Sequence, residues 1–362
     1  MTIQAKLCEM PDFDAGHTHA AFELQLCYGL KLLFSRYETV DDFVVLFEFH
    51  DDLAMILNPE DPSEIKFYQL KSYANDLPLA SLLKRDKSKK ATEDGTAQTK
   101  DSVIEKLYFN IEKFGNTATS ADVVSATHCK TPKTSDKVLH KERFTFDELS
   151  SDDKTRVIEL LQTRFTPSNI DHTSLAKIGY TKVQMSKEEH LQIVKGAVHD
   201  FLLAVTGTDE QPLEALTATI KEICRKKQTK KTSDVSSVYA EAIKQKGVSK
   251  SELDEWINTA TNYRRCPTWS EILPELGELS LIEKISLKSD FEEYRTQVLN
   301  SENVLIEKLK HCIKRELELN PIGDIETLKD VLHRVSQKLL GVYGHSQSQL
   351  KAAIIYEVYT KK

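Results

Sequence analysis

The order of apolar and polar positions in the first 80 residues predicts a helix followed by three strands. Leucines recur at helical spacing between residues 20 and 36, which is typical of an amphipathic helix. The run Phe43–Phe49 is β-branched and aromatic, and Leu53–Leu57 is a second short apolar run, so both are predicted to be strands. Turn-forming residues then precede Ile65–Ser72, where alternating apolar and polar residues predict a third strand.

The next hundred residues alternate between helical and extended patterns. Residues 84–100 are polar, rich in Lys and Thr, and predict a flexible loop. Ser102–Phe114 carries apolar residues on one helical face, and a further helix is expected within Phe144–Phe165. Ala121–Thr127 and Leu175–Met185 are short apolar or mixed runs that are interpreted as strands.

A separate helical domain is predicted after residue 208. Ser186–Glu189 fits a capping box that opens the last helix of the first part. The polar segment Thr206–Pro212 follows and is the best candidate for a boundary. Beyond it apolar residues recur only at helical spacing, and Asp324 is placed to cap one of the helices. The predicted domains are 1–208, of α/β class, and 209–362, an all-α assembly or regulatory domain.

Composition is that of an ordinary globular chain. The 362 residues are 40% hydrophobic and 29% charged, no apolar run is long enough to span a membrane, and the first residues lack the apolar core of a secretory signal. We therefore expect a cytoplasmic protein without a membrane partner. Six scattered cysteines form no Cys-x-x-Cys pair, so they are expected to be reduced thiols, mostly buried, and not ligands of a zinc site.

Two basic segments stand out against the net charge of −7, which does not itself favour binding to nucleic acid. One segment carries Lys84, Arg85, Lys87, Lys89 and Lys90, and the other is Arg225–Lys231. Both can be solvated loops, or one or both can contact phosphate. The first segment is the candidate DNA-binding site.

Acidic, amide and basic side chains lie at the ends of the three predicted strands. Glu48 is near the end of the first strand, Asp52 is at the start of the second, and Gln69 and Lys71 leave the same face of the third. In a three-strand meander these positions can meet, and carboxylate and carbonyl oxygens hold Mg²⁺. A metal ion with a nearby Lys is what phosphodiester hydrolysis requires. Gln69 brings no negative charge, so a weak metal site is expected.

The same residues have a plainer interpretation. Carboxylates at strand ends can simply solvate the turns, and Lys71 can be a surface lysine. Gln69 and Lys71 within an otherwise apolar strand argue against this, because burying them without partners costs free energy. Spacing alone leaves both interpretations open.

Three segments resemble one known family, the double-stranded DNA endonuclease domain of bacterial anti-phage effectors, found in CBASS defence and in the nuclease subunit of Lamassu defence. They are Phe22–Gln25, Glu48–Asp52 and Tyr68–Lys71, with a weaker match over Ser102–Tyr108. The resemblance covers roughly residues 15–205. It implies a restriction-endonuclease-like (PD-(D/E)xK) fold that uses Mg²⁺, with Mn²⁺ as a possible substitute.

The resemblance assigns roles residue by residue. Asp52, Gln69 and Lys71 match the family's catalytic positions, and Glu48 matches an auxiliary acidic residue; Asp52, Gln69 and Glu48 are the expected metal ligands. Gln25 matches a family glutamine on the first helix and is added to the catalytic candidates. Its alternative role is a hydrogen bond between helix and sheet.

The predicted helical domain favours the Lamassu-type subunit over a CBASS effector, whose nucleotide-sensing domain has α/β content. Such a subunit is an endonuclease with little sequence specificity, silenced until partners assemble with it or release it. The implied partners are double-stranded DNA, an SMC-like ATPase, an accessory subunit and further copies of the chain. The chain has no Gly-x-x-x-x-Gly-Lys-Ser/Thr loop of its own. The alternatives are a catalytically weak scaffold that bridges partners and DNA and, less favoured, an RNase.

Overall fold

The computed structural model describes residues 2–8, 19–71, 75–91, 97–130, 142–166, 170, 172–185, 190–207, 213–231, 234–277, 279–299, 303–323, 326–341 and 344–361. The helix starts predicted at Ser186 and Asp324 lie outside these residues. The chain divides into two compact units. The first joins Met1–Ala197 with Cys224–Lys250, and the second joins Val198–Ile223 with Ser251–Lys362.

The strands lie in the first unit and are numbered in chain order. They are β1 (Phe43–Phe49), β2 (Asp51–Leu57), β3 (Glu64–Lys71), β4 (Leu77–Pro78), β5 (Asp86–Ala91), β6 (Ala97–Lys100), β7 (Ala118–Ser125), β8 (Cys129–Lys130), β9 (Arg143–Thr145), β10 (Ile178–Lys182) and β11 (Gly247–Ser249).

The helices are numbered in the same way. They are α1 (Ile3–Cys8), α2 (His19–Arg36), α3 (Leu79–Leu83), α4 (Val103–Phe114), α5 (Ser151–Gln162), α6 (His172–Leu175), α7 (His190–Thr206), α8 (Leu213–Thr229), α9 (Tyr239–Lys246), α10 (Lys250–Arg265), α11 (Trp269–Ile272), α12 (Leu281–Gln297), α13 (Val304–Leu319), α14 (Leu328–Leu339) and α15 (Gln347–Lys361).

A mixed sheet of seven strands, in the order β11-β1-β2-β3-β7-β10-β9, forms the centre of the first unit. β1, β2 and β3 are an antiparallel meander, whereas β7 lies parallel to β3. A parallel neighbour requires a long crossover, and α4 forms part of it. The N-terminal region is therefore mixed α/β, as predicted, with the three strands of the meander close to their expected bounds.

Two helices cover the two faces of the meander. On one face α4 packs Ile104 and Leu107 in the same apolar cluster as Phe67 of β3. On the other face Gly29 of α2 lies so close to Phe47 that any Cβ there would overlap the Phe47 ring. The two faces of the sheet are thus both buried, which explains why β1 is almost entirely apolar.

Helix α2 differs from the expected amphipathic helix, because residues 23–30 are all buried. The sheet covers one side, and the end of α8 covers another: Arg225 forms an ion pair with Glu23, and Gln228 donates a hydrogen bond to the Phe22 carbonyl (3.0 Å). Tertiary packing therefore surrounds a helix whose sequence predicts only one apolar stripe.

Two further predictions are corrected. Residues 84–100 are not an irregular loop, since β5 and β6 pair as an antiparallel ribbon in which Lys87 lies opposite Thr99. The chain after residue 208 is not purely helical, because β11 joins the edge of the main sheet beside β1. Residues 224–250 therefore belong to the first unit, whereas the sequence predicted a single domain boundary after residue 208.

The second unit is helical throughout its described residues and has its own apolar core. Helices α12 to α15 contribute, among others, Phe291, Ile313, Val335 and Ile354. Four cysteines of the chain are buried and two are partly buried, and all six are free, as predicted. Among the described residues no helix combines the length and the apolar character needed to cross a membrane.

Candidate active site

The site begins at the tight turn between β1 and β2. Phe49 pairs with Asp51, so His50 alone separates the strands, and it has a positive φ of 65°. His50 is buried, with Nε2 2.8 Å from the Leu7 carbonyl oxygen, while its own carbonyl accepts a hydrogen bond from Asn110 (3.3 Å). These contacts hold a backbone conformation that a non-glycine residue rarely adopts.

Glu48 also has a positive φ, of 49°, and this interrupts the alternation of β1. The side chains of Val44 and Leu46 pack on the α4 side of the sheet. Strict alternation would place Phe49 on the same face as Phe47, but Phe49 packs with Val44 and Leu46. The positive φ turns the Glu48 side chain towards α2, where it lies near Gln25. Glu48 and Gln25 are therefore brought together, on the opposite face from Gln69 and Lys71.

Asp52 is buried, 3% exposed, and its carboxylate is held by the neighbouring strand. Because Leu53 lies opposite Tyr68, Asp52 falls beside Gln69. Its Oδ2 accepts a hydrogen bond from the Leu70 backbone N–H (2.6 Å) and another from the Gln69 amide. The predicted pairing of Asp52 with Gln69 is therefore present in the fold.

Asp51 is a second carboxylate at the same place. Its Oδ1 accepts from the Asp52 backbone N–H (2.9 Å) and its Oδ2 accepts from Asn110 Nδ2 (3.2 Å). Burial, and then repulsion by the Asp52 carboxylate, raise the pKa of Asp51 to about 7. Burial and Asp52 likewise raise the pKa of Glu48 to about 8. Concentrating carboxylates in this way is costly unless a cation offsets their charge.

Two lysines face the carboxylates. Lys71 shares a face of β3 with Gln69 and lies opposite Ser125 of β7. Lys106, on α4, is mostly buried, and burial followed by repulsion from Lys71 lowers the pKa of Lys106, while Asp51 and Asp52 oppose this shift. The candidate site therefore contains two ammonium groups, of which sequence reasoning identified only Lys71.

The residues added by the fold are Asp51, Lys106 and Asn110. Lys106 and Asn110 are four residues apart and therefore share a face of α4, and Asp51 and Lys106 lie within segments that carry the family resemblance. This face of α4 lies against the turn between β1 and β2 because the crossover places α4 over the meander. The spacing of residues within β1 to β3 does not predict that contact.

The donor set suits a hard cation. Two adjacent carboxylates, an amide and nearby carbonyl groups are oxygen ligands of the kind that Mg²⁺ prefers, and Mg²⁺ commonly uses one or two carboxylates together with waters. The Gln69 amide now presents its nitrogen to Asp52, so it would have to turn over to offer oxygen. Within the described part of the chain, no three His, Cys, Asp or Glu side chains are grouped so that they could hold a metal ion.

The candidate DNA-binding residues are only partly described. Lys84 is exposed, whereas Arg85 forms an ion pair with Glu105 and hydrogen-bonds to Thr163. Lys87, Lys89 and Lys90 lie on β5, and their side chains are outside the description. In the other basic segment, Arg225 pairs with Glu23, and Lys227 is buried and donates to the Gly247 carbonyl. These two cations of that segment have structural partners.

One family of known proteins matches the part of the chain that contains this site. The family described as Cap4, dsDNA endonuclease domain matches residues 15–228, more than half of the chain, and includes α2, the meander and α4. The comparison with curated proteins returned no match, and neither did the comparison with solved structures. The chain therefore belongs to the family of the Cap4 dsDNA endonuclease domain, whose members are effectors of anti-phage CBASS defence.

Proposed function

We propose that this chain is a metal-dependent endonuclease that cuts double-stranded DNA with little sequence specificity, and that Asp52, Gln69 and Lys71 are its catalytic residues. The observation that supports the proposal is the meeting of Asp52 with Gln69 beneath α4, which adds Lys106 to the same face. A meander followed by a helical crossover to a parallel strand is also the core expected of a restriction-endonuclease-like (PD-(D/E)xK) domain.

Magnesium, or manganese in its place, would be held by Asp52 and the side-chain oxygen of Gln69. Asp51 would add a further oxygen in place of Glu48, whose side chain turns to the other face of the sheet. When bound there, the ion would supply charge that polarises the phosphate and lowers the pKa of a water ligand. The raised pKa of Asp51, caused by burial and by Asp52, supports a cation at this place. The protein's contribution is to hold the Asp52 carboxylate in one orientation through the Leu70 N–H.

Lys71 and Lys106 would receive the scissile phosphate. Charge builds on the phosphate oxygens as the nucleophile adds, and ammonium groups already in place stabilise that charge without reorganisation. Lys71 is also placed to orient the attacking water. In this arrangement the carboxylates bind the cation, and the lysines bind the anion.

The test is a plasmid nicking and linearisation assay with Mg²⁺ or EDTA. We expect Mg²⁺-dependent cutting that Asp52→Asn and Lys71→Ala each reduce by at least about a hundredfold, as loss of a catalytic group does. Lys66→Ala is the matched control, because Lys66 lies on the same strand and pairs with Glu64 outside the site. Retained cutting by either site variant, with Lys66→Ala unaffected, would refute the assignment.

A scaffold would behave differently. Wild-type protein that cuts nothing at any concentration, and gains no thermal stability from Mg²⁺, would favour a protein that only bridges partners and DNA. A parallel assay on RNA separates an RNase from a DNA endonuclease.

We further propose that the chain is the nuclease subunit of a Lamassu-type defence complex, active as an oligomer and silenced by an SMC-like ATPase and an accessory subunit. The helical character of the second unit over its described residues supports this, since it offers no α/β nucleotide-sensing domain. A steep dependence of plasmid linearisation on protein concentration is the expected sign of assembly. Adding the candidate partner subunits should suppress cutting, and cutting that they leave unchanged would contradict the proposal.

A further inference from the structure

Three neighbouring strands of the main sheet, β3, β7 and β10, run parallel and end together. Their last residues form one row across the sheet, because Lys71 and Lys182 each lie opposite Ser125. Two positions earlier, Val123 and Tyr180 belong to the apolar cluster on the α4 side, and side chains two apart leave the same face of a strand. Lys182 therefore lies on the same face and at the same end of the sheet as Lys71.

The distance between these two lysines suits successive phosphates of DNA. Neighbouring strands are about 4.8 Å apart, so the backbones of Lys71 and Lys182, two strands apart, are separated by about 10 Å. One strand of a DNA duplex carries a phosphate for every 3.4 Å or so of helix axis. A DNA strand that crosses this end of the sheet with its scissile phosphate at Lys71 would therefore bring to Lys182 a phosphate about three nucleotides away.

The half-buried Lys182 side chain is held by an imidazole. Its ammonium lies 2.7 Å from Nε2 of His128. An ammonium has three donors and no acceptor, so Lys182 donates in this contact and keeps two donors for another group. Because the partner is an imidazole and not a carboxylate, the contact orients the ammonium without neutralising its charge.

His128 belongs to a short segment after β7 whose backbone is fixed on both sides. The Thr127 N–H donates to Ser125 Oγ (3.3 Å), and the Thr127 carbonyl accepts a hydrogen bond from Tyr180 Oη (2.8 Å). The next carbonyl, that of His128, accepts from the Leu77 N–H (2.8 Å). The imidazole is therefore carried by a segment that is held in place, and it keeps the lysine ammonium at the end of the sheet.

We propose that Lys182, positioned by His128, is a second phosphate-binding site, which holds the backbone of double-stranded DNA beside the place of cutting. The proposal rests on the proposed endonuclease function and adds to it a contact outside the chemistry. Lys71 and Lys106 receive the phosphate that is cut, and Lys182 receives a neighbouring phosphate. Phosphate contacts carry no direct sequence information, so this site suits an enzyme with little sequence specificity.

The experiment compares Lys182→Ala with the wild type in two assays of the full chain. Binding to a fluorescein-labelled DNA duplex is followed by anisotropy in EDTA over a range of salt concentrations, and kcat and KM are measured on plasmid with Mg²⁺. We expect Kd and KM to rise about fivefold or more, with kcat changed by less than about twofold. The slope of log Kd against log salt concentration should fall by about 0.9, as the loss of one phosphate contact predicts.

Further variants separate the charge of Lys182 from its part in the fold. Lys182→Arg keeps the charge and should restore binding, whereas Lys182→Gln keeps a donor for His128, removes the charge and should bind as weakly as Lys182→Ala. His128→Ala should weaken binding in the wild type and add little in the Lys182→Ala background. Lys177→Ala is the matched control, because Lys177 lies just before the other end of β10 and donates to the Gly115 carbonyl (3.1 Å).

Several results would overturn the proposal. They are a wild type that does not bind the duplex, an unchanged Kd and salt slope in both Lys182→Ala and Lys182→Gln, and an equal loss of binding in Lys177→Ala. A loss confined to kcat would place Lys182 at the phosphate that is cut and would also overturn it. Binding in EDTA does not depend on cutting, so a wild type that binds DNA through Lys182 and cuts nothing would defeat only the proposed endonuclease function.

Discussion

Asp52 differs from a surface carboxylate because one of its oxygens accepts two hydrogen bonds across β2 and β3. The Leu70 N–H and the Gln69 amide both donate to Oδ2. Hydrogen bonds to a charged acceptor are stronger than those between neutral groups and fix its direction. The backbone of β3 and the Gln69 side chain therefore orient the Asp52 carboxylate.

Gln69→Glu should strengthen metal binding and weaken the metal-free protein. The substitution adds a carboxylate beside Asp52, so we expect half-maximal cutting at a Mg²⁺ concentration about tenfold lower. Without metal the added repulsion should lower the melting temperature. Gln162→Glu, at an exposed position on α5, is the control for the added charge. An unchanged Mg²⁺ dependence would argue against Gln69 as a ligand.

Lys106→Ala should reduce cutting, although the spacing of residues along the chain did not predict a catalytic role for Lys106. Lys106 faces Lys71 and the two aspartates, so its loss removes positive charge from the place where the phosphate is expected. We expect kcat to fall by about 10- to 100-fold. Lys113→Ala, two turns further along α4, is the matched control, and equal activity of both variants would contradict the assignment.

At the scale of elements, the helices of the second unit share one buried carboxylate. Glu357 of α15 is 1% exposed, accepts a hydrogen bond from Tyr294 Oη of α12 (3.0 Å) and lies 3.7 Å from Lys314 of α13. Burial raises the pKa of Glu357 above its usual value in spite of these contacts. The ionised form is therefore less favourable in the folded protein than in the unfolded chain.

Glu357→Gln should stabilise the protein at neutral pH and not at acidic pH. Below the unfolded-state pKa of about 4.5, Glu357 is protonated in both states and its burial does not reduce the stability of the wild type. Because the pKa of Glu357 is raised in the folded protein, ionisation favours the unfolded chain, and the wild type loses stability as pH rises through the folded pKa. At pH about 7.5 we expect the variant to melt roughly 2–4 °C higher, a shift that about 1 kcal/mol produces. Glu318→Gln, exposed on α13, serves as control. A gain that is independent of pH would contradict the explanation.

At the scale of the whole molecule, the nuclease sheet is completed by residues far along the chain. β11 covers the outer edge of β1, and Gln228 bonds to Gln25 some 200 positions earlier. An uncovered sheet edge invites pairing with other chains. The first unit is thus continuous in space but not in sequence.

A chain that ends at residue 208 should therefore be much less stable than one that ends at residue 250. The shorter chain lacks β11 and Gln228, so β1 becomes an edge strand and the hydrogen bond from Gln228 to Gln25 is lost. We expect the shorter chain to aggregate on size-exclusion chromatography, or to melt at least about 5 °C lower. Equal melting temperatures and a monodisperse shorter chain would show that residues 209–250 are dispensable for the stability of the first unit.

Local pattern was enough to predict the elements that position the site. The apolar period of β1, β2 and β3 and the capping sequence of α4 depend on neighbouring residues, so they are visible in the sequence. Asp52, Gln69 and Lys71 could be placed because a meander brings consecutive strands together. Glu48 was assigned to the same pocket, although the positive φ of that residue turns its side chain to the other face.

Short-range periodicity and spacing were enough to predict the class of the N-terminal region, its three-strand meander and the residues that carry the family resemblance. The ribbon of β5 and β6, the place of Lys106 in the site and the ion pair between Arg225 and Glu23 depend on packing between distant segments. Distance along the chain explains why the sequence pattern does not predict them. A charge pair about 200 residues apart leaves no periodic signal, since its stability comes from desolvation and from contacts made only after the sheet has formed.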